Sequence, residues 1–225
     1  MNNRETPNTE YSESVPGAPL ESILFTEELN DRPSRPPNRD IERGALTALA
    51  RGLSSSPKAV LESLAETILN VLQCDSAGVS LVNDEDTRFV WPALAGAWKP
   101  YVGGGTPRHF GPCGDVLQRD CALLMRHPEK RYTYFMPVTP IVDECLLVPF
   151  YVDGKAVGTI WAVTHDPPGN ENSQLRASGG KFDREDLRML ESLGKFASCA
   201  YTVWIGLKND APGSAPSERE CAGAG

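Results

Sequence analysis

Cysteine is sparse and scattered in this 225-residue sequence: six residues, at 74, 113, 121, 145, 199 and 221, with no CxxC spacing. That excludes a zinc ribbon and, in a reducing compartment, leaves free thiols rather than a disulfide framework. Long hydrophobic runs are also missing. The longest, residues 196–205, is broken by Ser198 and Thr202 and falls well short of the roughly 20 residues a bilayer demands, so no membrane span is expected. No apolar segment follows Arg4, which excludes a secretory signal and makes the cytoplasm the expected location. Positive charge is short: 22 Lys and Arg stand against 30 Asp and Glu, a net charge of −8, with no basic cluster. Nucleic-acid binding is therefore not expected. The three histidines, at 109, 127 and 165, are too dispersed to propose a metal site, and no carboxylate pair shares an apolar face as general acid–base chemistry requires.

What is present supports a folded core: 40% hydrophobic residues, 23% charged, and a length that fits one domain with flanking tails. Residues 1–38 hold six of the nineteen prolines, with three basic against seven acidic residues, and end in RPSRPPN. They read as a disordered or loosely docked arm in which LESILFTEEL can form one short amphipathic turn. Residues 207–225, rich in Ala, Gly, Ser and Pro, read as a disordered tail. The fold is expected within 39–206.

Inside that body Asp40 is expected to cap a short helix carrying Ile41, Ala45, Leu49 and Leu53 on one stripe. Ser56 followed by Pro57 starts a firmer helix, with Val60, Leu61, Leu64, Ala65, Ile68 and Leu72 at spacings of three and four. The period then changes to two. AGVSLV and RFVWPALA form one hairpin around NDEDT, and ECLLVPFYV and KAVGTIWAVTH form another around Asp153-Gly154, where both turn positions want positive φ. CALLMR reads as a shorter strand, preceded by a helical turn at about 113–119. A polar loop, PPGNENSQLRASGG, leads to a long helix capped by Asp183, with Asp186 three residues on. Its apolar residues make two stripes. One runs through Leu187, Leu190, Gly194, Ala197, Tyr201 and Trp204, the other through Met189, Leu193, Phe196, Ala200 and Val203; one can cover a sheet while the other meets a neighbour.

Helix, hairpin, irregular crossing segment, hairpin and closing helix make an α+β pattern with an antiparallel sheet. DSAGVSLV, the PCGDVL turn, LLVPFYVDGKAVGTIW and FDREDLRMLESL carry a resemblance to the GAF domain, a small-molecule sensing module, over roughly 39–206. The resemblance is greatest to bacterial modules associated with PAS and histidine-kinase segments. It implies terminal helices on one face of the sheet and, on the other, a pocket roofed by about Ala97 to Pro140. The chain lacks room for a kinase or other output domain, so signalling is expected through a histidine kinase or another protein in trans, or as a homodimer through the terminal helices.

The candidate ligand-binding residues are Trp98, Tyr101, Arg108, His109, Phe110, Cys113, Tyr134 and Phe135. Together with Tyr132 these aromatics either line a pocket or seal the sheet face; Arg108 and His109 are placed to meet an anionic ligand. Cys113 falls at an expected helix N-terminus, where the dipole can lower a thiol's pKa. Relatives with free methionine-(R)-sulfoxide reductase activity carry a cysteine in a similar turn, which gives a thiol-dependent reductase as the alternative to a non-enzymatic sensor. Cys121 and Cys145 lie in apolar runs, where cysteine serves as a small hydrophobe rather than a resolving partner. Among other relatives, no histidine adjoins a cysteine as in bilin attachment. Lys181, Phe182 and Asp186 echo a cyclic-nucleotide pattern whose asparagine and final glutamate are absent, Leu187 standing in the latter place. No cofactor is assigned and no catalytic residue is expected.

Overall fold

The computed structural model describes residues 17–166 and 181–209, the last five of these as backbone only. Six strands form one antiparallel sheet: β1 (Ser76–Val82), β2 (Arg88–Gly96), β3 (Gly105–Pro107), β4 (Leu123–Arg126), β5 (Ile141–Val152) and β6 (Lys155–Asp166), in the order β3-β2-β1-β6-β5-β4. The helices are α1 (Arg39–Arg51), α2 (Pro57–Leu72), α3 (Pro112–Arg119) and α4 (Arg184–Asn209). Both expected hairpins form. Asp153 and Gly154 take φ of 49° and 76° between the paired Val152 and Lys155, the conformation that matches strand twist.

Strand alternation divides the interior into two cores. Ala77 and Val79, Ala93 and Ala95, Leu146, Val148 and Phe150, and Ile160 and Ala162 face α2 and α4, packing on Leu64, Ile68, Leu72, Leu190 and Leu193. Phe89, Trp91, Cys145, Leu147, Trp161 and Val163 face the crossing segment. At roughly 25 cal/mol per Å² of apolar surface, each fully buried Leu or Ile contributes about 1.5–3 kcal/mol, and the stripes of α2 and α4 owe their helical state to this burial more than to propensity.

Helix ends follow local chemistry with one correction. Ser56 accepts a hydrogen bond from the Ala59 amide at 3.3 Å with Pro57 at the first helical position, and Asp183 and Asp186 cap one another's amides reciprocally at 2.9 Å. Asp40 does not cap α1. The helix begins one residue before it, and Asn38 Oδ1 accepts from the Ile41 amide at 3.1 Å. In the expected α1 stripe only Leu49 is buried; Ile41 and Leu53 are exposed.

The arm is the larger correction. Residues 17–38 are not loosely docked: Ile23 and Leu29 are each 1% exposed. Leu24 bridges Met125, Phe25 N–H donates to the Leu124 carbonyl at 2.8 Å, and Arg126 N–H donates to the Ile23 carbonyl at 2.9 Å, so the arm covers the free edge of β4. Arg32 then reaches Glu144 on β5 through two bonds of 2.7 and 3.0 Å and the Phe182 carbonyl at 2.6 Å. Arg126 joins the same carboxylate at 2.9 Å, Glu28 bonds both arginines, and Arg35 pairs with Asp186. Prolines made this segment read as loose; its anchors are the apolar residues of LESILFTEEL and three charges whose partners lie more than 90 residues away. Residues 1–16, 167–180 and 210–225, where the remaining disorder and loop expectations fall, lie outside the described residues. The closing helix runs through Asn209, past the expected boundary at 206.

The two stripes of α4 are also less separate than expected. Met189, Leu193 and Ala200 of the second stripe are buried against the helix-side core with Leu190 and Ala197 of the first, which leaves Val203 at 58% exposure as the outward residue.

Candidate functional site

The segment from Ala97 to Pro140 lies over the second face of the sheet and carries β3, α3, β4 and three short 3-10 turns. Between them are two cavities. An inner hollow of about 20 Å³ is bounded by Trp91, Trp98, Cys113, Phe135, Cys145 and Trp161. An outer cleft of about 90 Å³ is bounded by Trp98, Glu129, Phe135, Met136, Ile141 and Val142. Trp98, Phe135 and Val142 border both and form the wall between them. A water needs roughly 10–15 Å³ and a small-molecule pocket roughly 300–1,000 Å³, so the hollow holds about one water. Of the two expectations for the aromatics, sealing describes this structure: Trp98 lies near-parallel to Phe135 at 6.1 Å and to Trp91 at 6.2 Å, with Trp161 edge-on at 5.8 Å.

Strand chemistry sets the floor. Gly78 faces Trp161 across the β1–β6 pair, and any Cβ there would run into the indole and into Leu94, so glycine lets the ring lie flat on the sheet. Trp161 Nε1–H donates to Ser80 Oγ at 2.9 Å, Ser80 lies 3.4 Å from Cys113 Sγ, and Thr159 O–H donates to that sulfur at 3.1 Å. Trp91 Nε1 is buried with no hydrogen-bond partner among the described residues. Beside the wall, His165 Nδ1 lies 3.1 Å from the Ile141 carbonyl, which can only accept, so Nδ1 carries the proton. Nε2 therefore accepts from Ser76 Oγ at 2.8 Å, and Ser76 in turn accepts from the Trp98 amide at 3.1 Å.

Cys113 occupies the first turn of α3, as the sequence implied, but is 4% exposed. Burial pushes its thiol up, outweighing hydrogen bonds with Ser80 and Thr159, and burial pushes Cys145 well up as well. The expected dipole-lowered thiol is not found: the helix end faces a small, mainly apolar hollow. Cys113 and Cys145 both border that hollow.

The remaining candidates divide. Trp98, Cys113 and Phe135 meet at the cavities. Tyr101 packs edge-on to Trp98 at 6.5 Å, its hydroxyl 3.2 Å from the Thr139 carbonyl; Phe110 and Tyr134 pack on each other and on Tyr132, whose hydroxyl bonds Asp115. Arg108 and His109 border neither cavity. Arg108 is held by Asp86 at 2.7 Å over the Phe89 ring, and His109 is exposed. Asp86 of the NDEDT turn pairs with the arginine, and the pair does not join the residues at the cavities. Sequence reasoning missed Trp91, Trp161, Cys145 and Glu129. The first three were available from strand alternation, since each lies two residues or a multiple from a residue of the same face; Glu129 had no signal, because the turn that presents it has no period.

Stability is expected to fall in acid in two steps. Burial lowers the His165 pKa below its ordinary 6.5, so the fold holds it neutral while the unfolded chain takes up a proton; its contribution is full above 6.5 and is lost as pH falls. A hydrogen bond from Arg188, then Ser192 and Arg39, hold Glu42 at about 2 against an ordinary 4.5, so that contribution disappears between those values. A melting-temperature series from pH 8 to 2 should show a shoulder beginning near 6.5 that His165→Gln removes. A profile unchanged by that substitution would contradict this assignment.

A GAF domain family model matches residues 56–201, and the chain belongs to that family, a small-molecule-binding sensor fold. No curated protein matches the sequence. Solved structures similar to it include the GAF domain of an Acinetobacter phosphoenolpyruvate-protein phosphotransferase, 16% identical, with a TM-score of 0.58 over 74% of this chain and 96% of that one. The free methionine-R-sulfoxide reductase of Neisseria meningitidis, in complex with its substrate, is 16% identical, with a TM-score of 0.56 over 76% of this chain and 96% of that one. The second GAF domain of DevS from Mycobacterium smegmatis is 17% identical, with a TM-score of 0.54 over 68% and 99%. At such identities the likeness is one of fold. Among the described residues no helix is long and apolar enough to cross a membrane, and no group of three or more His, Cys, Asp or Glu could hold a metal ion.

Proposed function

We propose that this chain is a non-enzymatic cytoplasmic sensor in which a small molecule opens the wall of Trp98, Phe135 and Val142, joins the two cavities, and alters the helix layer that a partner protein reads. The observation that carries this reading is the construction of β5. Its Val142, Cys145 and Leu147 border the cavities, while Leu146, Val148 and Phe150 face the helices on the other side. Glu144 accepts a hydrogen bond from the Phe182 amide at 3.0 Å beside the start of α4, and the Tyr151 amide of β5 donates to Ser198 Oγ of α4 at 2.9 Å. One strand therefore borders the cavities and bonds both the lead-in to the output helix and its middle. The partner is a histidine kinase or other signalling protein in trans, or a second copy meeting it through the terminal helices, where Ile41, Leu53 and Val203 are exposed.

A reductase working through Cys113 needs an accessible thiolate, and burial works against both requirements. Purified protein supplied with free methionine-R-sulfoxide and a thiol reductant is expected to show no turnover above the Cys113→Ser variant. Turnover lost in Cys113→Ser would replace the sensor with the reductase. Native mass spectrometry of freshly purified protein tests the sensor itself: a bound metabolite supports it.

A further inference from the structure

The arm touches more than the edge of the sheet. It lies outside the matched family region, which begins at residue 56, and its two ends sit on the cavity roof and on the output helix. At its start Ala18 N–H donates to the Lys130 carbonyl at 2.8 Å, and the Ala18 carbonyl accepts from the Arg131 guanidinium at 3.2 Å. A Cβ on Gly17 would run into the Lys130 and Arg131 carbonyl oxygens, so glycine lets the two backbones touch there. These contacts fall on the 3-10 turn Pro128–Lys130, whose Glu129 borders the outer cleft. The same turn leads through Tyr132, whose amide donates to the Pro128 carbonyl at 2.8 Å, to Phe135 of the wall.

The other end caps the output helix. Ser34 Oγ accepts from the Glu185 amide at 3.2 Å, satisfying a first-turn donor of α4 that no helical carbonyl can reach. The Arg35 amide donates to Asp183 Oδ2 at 3.3 Å, its guanidinium pairs with Asp186, and Arg184 donates to Asn30 Oδ1 at 2.9 Å. Between its ends the arm crosses from one face of the sheet to the other: Ile23 belongs to the cavity-side core and Leu29 to the helix-side core. It meets β4 through an isolated bridge, Leu24 with Met125, rather than a strand ladder. A short segment held in this way opens as one cooperative unit, so losing the contacts at one end weakens those at the other.

We infer that residues 17–38 form a latch: docked, they hold the roof turn over the cavities and cap the start of α4, and release of either contact loosens the other. The latch is a second path between the cavity face and α4, beside β5, and operates whether or not the pocket takes a ligand. Lifting Phe135 displaces the turn that Ala18 holds. A partner that draws Ser34 or Arg35 off α4 loosens the roof in return, since coupling between two sites runs both ways.

The thiols supply the test. Cys113 and Cys145 border the inner hollow, Cys74 lies in the helix-side core, and all three are buried. Alkylation of the folded full chain with iodoacetamide, resolved for each cysteine by mass spectrometry, therefore separates opening of the roof from global unfolding. Arg35→Ala, made at the α4 end, is expected to speed the reaction of Cys113 and Cys145 by about threefold or more and to leave Cys74 unchanged. Unchanged rates at Cys113 and Cys145 would overturn the latch by making the arm a local brace. An equal rise at all three would overturn it by making the arm a general stabiliser. The reverse direction uses Gly17→Val, made at the roof end and read by amide exchange. Residues 185–188 of α4 are expected to exchange faster by a similar factor, with 64–72 of α2 unchanged. Wild-type exchange in 185–188, or a rise shared equally by α2, would overturn the latch and leave β5 as the path between the two faces.

Discussion

Glu144→Ala is expected to lower the unfolding free energy by about 3–5 kcal/mol, the range for removing one partner of a buried ion pair. Glu144 has no exposed side-chain surface and Arg32 only 9%. Burial alone would raise the carboxyl's pKa, yet bonds from Arg32 and Arg126 bring it below the ordinary carboxylate value, so it is ionised in the fold. Its loss leaves Arg32 and Arg126 with only the half-exposed Glu28 as a shared carboxylate, and frees the Phe182 amide beside α4. The effect should also be local. Arg32 and Arg35 hold the arm to the sheet and to α4, so trypsin should cut the variant's arm well before the domain. Urea unfolding that shows a loss under about 1 kcal/mol, or an arm as resistant as the wild type's, would contradict the role given to this network. The same reasoning predicts that the body cannot simply be trimmed to residue 39.

Trp98→Ala is expected to cost a similar amount, about 3–5 kcal/mol, and to merge the hollow and the cleft. Trp98 is 3% exposed and packs on Trp91, Phe135, Trp161 and His165. Its indole N–H lies 3.3 Å from the Pro140 carbonyl, which would lose that donor. Free indole should refill the space, restore the bond and raise the melting temperature in proportion to its concentration, whereas the wild type should not respond. If indole leaves the variant's melting temperature unchanged, the wall is not a barrier between two joinable spaces.

The fold was legible in the sequence because each major element carries a strong local signal. Ser56-Pro57 starts α2, period-two runs mark both long hairpins, Asp153-Gly154 closes the second, and Asp183 with Asp186 caps α4. The arm was not legible, because its attachment depends on pairs such as Arg32 with Glu144, which no local pattern reveals. The site was legible by half. Trp98, Cys113 and Phe135 stood out in an irregular segment, but the floor beneath them belongs to strands, and Trp91, Trp161 and Cys145 were hidden in runs that explain themselves as core. Arg108 pairs with Asp86 and, like His109, lies away from both cavities, a placement that no local pattern announces.

The central claim is that a change on the cavity face of the sheet reaches the helix on its other side. Amide hydrogen exchange of Trp98→Ala with and without indole measures this directly. Protection is expected to change in α4 between residues 184 and 204 as well as in 97–142, with β5 responding along its length. Changes confined to the crossing segment and the cavity-facing strands, with α4 exchanging identically in both states, would contradict the claim.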